Sequence, residues 1–139
     1  MDKLFEVTEQ AISVDQVIAG LADPAVGAIT TFVGVVRGKT AGRETLYLEY
    51  EAYPEMAEAT LRQVGQEVLA RWPEIRQVAI VHRTGRLEVG ETAVVIALSA
   101  AHRRQVFDAL HYAIDRIKEI VPIWKKEVWA DGAEWKSEQ

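Results

Sequence analysis

The sequence predicts an α+β fold, a mixed and largely antiparallel sheet with helices packed on one face of it. Two long segments carry apolar residues three and four apart, the spacing of an amphipathic helix. Between them lie runs that are β-branched or alternate in polarity, joined by short turns rich in Gly and Pro. At 139 residues and 15.5 kDa the chain reads as one domain over 1–139, with no linker or repeat. That length buries roughly 68% of the unfolded surface around one core.

Lys3–Thr8 opens as a short strand. Ser13 stands three residues before Gln16, a capping box ahead of Val17, Ile18 and Leu21, and Asp23-Pro24 ends that first helix. Gly27 to Arg37 is β-branched and apolar on both faces, which predicts a buried strand with a bulge or close approach at Gly34. Gly38 to Thr45 is polar and glycine-bearing, a mobile loop.

Leu46–Tyr53 alternates, with Leu46, Leu48 and Tyr50 opposed to Tyr47, Glu49 and Glu51. Pro54 then opens a helix whose apolar face runs Ala57, Leu61, Val64, Val68, Trp72, and Pro73 closes it. Gln77–Arg83 and Thr92–Ala100 are strands, with a short Arg86–Val89 piece between Gly85 and Gly90. The last helix starts near His102 and turns Val106, Leu110, Ala113, Ile117 and Val121 inward. Pro122 stops it, and Ile123–Trp129 is the final strand. The order β-α-β-β-α-β-β-α-β leaves ferredoxin-like and hammerhead-like arrangements both open.

Hydrophobic residues make up 49% and charged residues 27%, which excludes disorder. The absence of cysteine excludes a disulfide framework, a thiolate metal site and a thiol nucleophile. The N-terminus lacks an apolar leader and no uncharged run reaches membrane-spanning length, so a soluble cytoplasmic protein is expected. A net charge of -5 argues against broad binding of nucleic acid or an anionic membrane. The charge is partitioned, however. Residues 101–126 hold six Lys/Arg against three acids, a basic island in an acidic chain.

Two constellations could carry chemistry. In Ser99-Ala100-Ala101-His102-Arg103-Arg104 a strand runs into a helix start, where free N–H groups attract anions. Cations there oppose the helix dipole, and a local rule broken in this way is a functional hint; the same residues also read as solvated surface charge. In the second, Lys118 ends the helix and Lys125 begins the next strand across Pro122. One cleft could hold both ammonium groups, and mutual repulsion with burial would lower a lysine pKa. A lysine at a helix C-terminus is equally what the dipole favours. Arg37 closes its strand just before the loop. His82, His102 and His111 lack ligand spacing, so no metal site is expected. Gly38-Lys39-Thr40 is like the end of a P-loop, but the preceding glycine, Gly34, stands at the wrong spacing. Trp124, Trp129 and Trp135 suggest packing.

Taken together, Ser99–Arg103, Phe107, Asp115, Lys118 and Pro122–Glu127 resemble the catalytic (large) subunit of molybdopterin synthase. Gly27–Ile29, Phe32–Arg37, Leu48–Pro54 and His82–Gly85 fit the same family in order, from about Phe5 to Trp135. The resemblance implies an α/β hammerhead with an added antiparallel sheet, and a sulfurtransferase of molybdenum cofactor biosynthesis with no resident cofactor. Two sulfurs would pass from the C-terminal thiocarboxylate of a small ubiquitin-like partner to cyclic pyranopterin monophosphate. Large subunits would form a homodimer inside a heterotetramer. By position the resemblance implies Lys118 and Lys125 as catalytic. It implies substrate contacts for both lysines and for Val35, Val36, Arg37, His102, Arg103, Lys126 and Glu127, with Arg37 serving its own or the neighbouring subunit's site. The competing reading is a non-enzymatic α+β module that binds a small regulatory anion. An RNA-binding domain lacks the aromatic-basic strands it would need.

Overall fold

The computed structural model describes residues 3–136; Met1, Asp2 and residues 137–139, which the expected domain and leader readings include, lie outside the described residues. Twelve elements follow one another: β1 (Phe5–Thr8), α1 (Val14–Ala19), β2 (Ala28–Val35), β3 (Lys39–Thr40), β4 (Arg43–Ala52), α2 (Pro54–Arg71), β5 (Ile75–Arg83), β6 (Gly85–Glu88), β7 (Thr92–Ala100), α3 (Val106–Ile120), β8 (Ile123–Trp129) and β9 (Gly132–Lys136). The α+β class holds, and the nine expected elements are present with β3, β6 and β9 added.

The first sheet has the order β1-β5-β7-β2, with β1 parallel to β5 and the other pairs antiparallel. Its centre is β5 and β7, whose apolar runs are buried on both faces. Helices α2 and α3 cover one face: Leu61, Val64 and Val68 meet Val78, Ile80, Ile96 and Leu98, with Ala113 and Ile117 beside them. Each of these Val, Leu and Ile side chains contributes about 1.5–3 kcal/mol by burial. The expectation of helices on a single face is corrected. Val17 and Leu21, from α1 and the turn after it, pack on the opposite face against Ala79, Val81, Val95 and Ala97. Ser13 caps α1 as read, its Oγ accepting from the Gln16 N–H at 3.2 Å. In α2, a Cβ on Gly65 would lie 2.4 Å from the Phe5 ring, so only glycine lets β1 approach this closely.

The second sheet runs β3-β4-β8-β9, and β6 also pairs with β4. The expected mobile loop is instead a hairpin. Lys39–Thr40 pair with Arg43–Glu44 across Ala41 and Gly42, at φ 52° and 78°, the left-handed pair of a two-residue turn. A bulge between Thr45 and Tyr47 breaks the alternation, so Thr45 is buried and Leu46 faces out, against the expected inward Leu46.

Two further corrections concern the candidate site. Strand β2 is an edge strand, not a buried one, and Val35 is 57% exposed. Among the described residues its apolar sequence pairs with one neighbouring strand, β7. Gly34 does mark a register shift, and a Cβ there would lie 2.8 Å from Val94 Cγ1. Helix α3 begins at Val106, not near His102. The Gly27 N–H donates to the Ala100 carbonyl at 2.9 Å, and Ala101 O lies so near Gly27 that a Cβ there would clash, which ties this segment to the sheet edge. Starting after the cations also puts Asp108 in the first turn, as the helix dipole prefers.

Candidate functional site

A cavity of about 190 Å³ opens where the two sheets meet the C-terminal end of α3. Its walls are apolar, with Phe32, Val94, Ile96 and Ile117 from the first sheet and helix α3. Its floor is the inner face of the second sheet. There Tyr50 pairs across the strands with Lys125, and Leu48 with Glu127. Arg37, Lys118 and Lys125 all line it. The helix end, the break at Pro122 and the strand start therefore do bring both lysines into one cleft.

The electrostatics single out Lys125. Burial pushes its ammonium below the ordinary lysine range, Glu127 opposes the shift, and Lys136, Arg37 and Lys118 reinforce it. Tyr50 moves the other way, pushed up to about 12 by burial and then by the Glu127 charge, so its hydroxyl keeps its proton. Beneath it His82 is buried, its ring edge-on to Tyr50 at 5.0 Å. His82 Nδ1 donates to the Arg83 carbonyl at 2.7 Å, since a carbonyl only accepts. That bond orients the ring under the cavity floor.

The other expected residues divide. Val35 and Glu127 line the cavity with the three cations. Val36 is buried, its backbone paired with Glu91 and Gly90, so its side chain serves the core. Lys126 falls on the outer face of β8, its Nζ 5.6 Å from the centre of the Trp135 ring. His102 and Arg103 form a separate surface depression with Arg104, Gly27 and Ala28. The cations of that depression precede the helix and do not sit on its first turn. The tryptophans pack singly: Trp124 meets Tyr53 edge-on at 6.3 Å, and Trp129 lies under Arg43 at 4.4 Å. Among the described residues no group of His, Asp and Glu is arranged to hold a metal ion.

Sequence reasoning missed Tyr50 as a lining residue and Lys136 as a charge acting on Lys125. Tyr50 stood on the inward face of an alternating strand, but nothing in that pattern said the face floors a cavity. Lys136 lies on β9, which the Asp131-Gly132 dipeptide announces: the strand starts at Gly132, just after the Ala130-Asp131 turn.

In this small α+β protein an apolar cavity ends in three cations, an arrangement chemically suited to an organic anion. A family model described as MoaE protein matches residues 7–120, and the chain belongs to the MoaE protein family. Over 137 residues it is 58% identical to the molybdopterin synthase catalytic subunit of Halalkalibacterium halodurans, covering 99% of this chain and 87% of that protein. The crystal structure of molybdopterin synthase from Staphylococcus aureus superposes with a TM-score of 0.93 at 46% identity, covering 98% of both chains. A complex of subunits 1 and 2 of molybdopterin-converting factor from Helicobacter pylori shares the fold at a TM-score of 0.75 and 16% identity, over 94% of this chain and 88% of that one.

Proposed function

We propose that this chain is the catalytic subunit of a molybdopterin synthase, transferring two sulfurs from the C-terminal thiocarboxylate of a small ubiquitin-like partner to cyclic pyranopterin monophosphate. The observation that carries the reading is Lys125, half-buried beside Lys118 and Arg37 at the end of an apolar cavity. Thiocarboxylate and pterin phosphate are both anions, and a cationic pocket holds them together against their repulsion. Lys125, with its lowered pKa, moves the proton as the sulfur attacks the pterin side chain. The Lys118 ammonium steadies the oxyanion formed when water releases the partner's acyl group. The partner's tail enters along the apolar walls. A cytoplasmic site of action belongs to the same reading; among the described residues no helix is long and apolar enough to cross a membrane.

The substrate pocket in this reading is completed by a second copy. The cavity's Arg37 lies beyond the Val35 end of β2 and the His102–Arg103 depression at its Ala28 end, and these two strand ends are roughly 23 Å apart for eight residues. One small molecule does not span that distance. Strand β2 has a free edge and no charged residue or proline to protect it. Ile29, Val35 and Phe107 are exposed apolar residues on β2 and the start of α3. Antiparallel pairing of two β2 edges puts the Ala28 end of one copy beside the Val35 end of the other. His102 and Arg103 of one protomer then face Arg37, Lys118 and Lys125 of its partner. This homodimer, with a small subunit at each end, makes the heterotetramer.

The test combines the purified chain with thiocarboxylated small subunit and the cyclic pterin, and assays dithiolene product. Product is expected with the native chain and a loss of at least about a hundredfold with Lys125→Ala. A native complex that assembles yet makes no dithiolene overturns the reading.

A further inference from the structure

We propose that Lys136 is a positioning residue: it holds the buried Glu127 carboxylate, and so leaves the Lys125 amine uncommitted and free to react. The inference rests on Lys125 being the reacting lysine of the proposed function.

The register of β8 and β9 sets Lys125 directly opposite Lys136, and Glu127 directly opposite Glu134. Like charges directly opposite are unfavourable in an antiparallel pair, and a sheet built for stability alone would alternate them. The diagonal contact resolves the conflict. Lys136 Nζ reaches Glu127 Oε2 at 3.6 Å, while Glu127 is only 3% exposed. Oε2 has no hydrogen-bond partner among the described residues, so the Lys136 charge is what compensates it. Lys125 shares that inner face two residues away, yet among the described residues the carboxylate's ion pair is with Lys136.

The groups acting on Lys125 come from every neighbouring element. Glu127 on its own strand and Tyr50 on β4 border it; Lys136 on β9, Arg37 after β2 and Lys118 on α3 are the surrounding cations. Lys136 works on Lys125 in two ways with the same sign. Its charge directly disfavours the Lys125 ammonium, and it draws away the one carboxylate that would favour that ammonium. Without Lys136, the Glu127 carboxylate turns to Lys125 and holds it protonated. Lys136 itself touches no substrate in this scheme.

The experiment follows the rate of acylation of Lys125 by acetic anhydride against pH, read by peptide mass spectrometry, in the native full chain, Lys136→Met and Lys136→Arg. In Lys136→Met the Lys125 midpoint is expected to move up by about half a unit to one unit. Lys136→Arg keeps it at the native value. With thiocarboxylated partner, kcat of Lys136→Met at pH 7 falls about three- to tenfold, recovers at higher pH, and leaves KM for the pterin unchanged. An unmoved midpoint in a folded Lys136→Met protein overturns the inference. Should that variant not fold, Lys136→Gln carries the same expectation. A shifted midpoint in a chain that makes no dithiolene even when native removes the sulfur-transfer reading and leaves the positioning role standing.

Discussion

At the scale of single residues, the site depends on a contrast among three cations of equal formal charge. Arg37 and Lys118 supply a field, whereas Lys125 is the one whose proton the surroundings loosen. Lys125→Arg separates these tasks. A guanidinium keeps the charge but does not give up its proton at any working pH, so pterin KM is expected to hold while kcat falls at least about a hundredfold. Equal kcat in steady-state assays would reduce Lys125 to an anion anchor. The lowered pKa also costs stability. A folded-state lysine pKa below its unfolded value means the unfolded chain binds more protons, so stability rises with pH across that window. Lys125→Met is therefore expected to melt a few degrees above the native chain at pH 7 while losing activity, as calorimetry beside the dithiolene assay will read. The residue types of this site were readable in the sequence, since lysines flanking Pro122 are visible without a fold. The burial that distinguishes Lys125 from Lys118 was not, because it depends on strands β2, β4 and β7 closing over it.

At the scale of elements, helix α3 must stay in place for Lys118 to reach the cavity. Its outer side is held to α2 by Glu67, which accepts from Arg116 Nε at 2.8 Å and from the Tyr112 hydroxyl at 2.7 Å. Hydrogen bonds from Arg116, Tyr112 and Gln63, in that order, hold the Glu67 carboxyl down to about 2. A depressed carboxylate stabilises above its unfolded value of about 4.5 and loses that effect as pH falls toward 2. Water screens the pair, so about 1 kcal/mol or less is at stake. Glu67→Gln should lower the urea midpoint at pH 7 and leave it unchanged near pH 2. The β3–β4 hairpin carries a correctable defect, since Ala41 takes a left-handed φ that costs an L side chain. Ala41→Asn makes the Asn-Gly pair this turn favours and is expected to add about 0.5–1 kcal/mol to unfolding stability in denaturant titrations. Period-3.6 patterns made α2 and α3 readable, and continuous apolar runs made β5 and β7 readable. The two-residue β3, the four-residue β6 and the terminal β9 have too few residues for a periodicity, and only their turn glycines announced them.

At the scale of the whole molecule, the separation of the His102–Arg103 depression from the lysine cavity yields a complementation test. Lys125→Ala and Arg103→Ala chains are each inactive alone if both groups serve one substrate. If the proposed homodimer forms, mixing with exchange leaves half the dimers with one site that draws both intact groups, and roughly one quarter of native activity is expected to return. No recovery, in chains shown by sedimentation to exchange, would place both groups in a single protomer's site. The amino-acid sequence by itself determined the α+β class, the order of the principal elements, the family and the identity of the cations, because periodicity and residue type are local properties of the chain. The tertiary structure alone decided that β2 is an edge, that α3 starts after the basic residues, that Lys126 faces away, and that Lys136 joins the site. Each of these depends on which strand lies beside which and in what register, and pairing partners distant in sequence leave no local pattern.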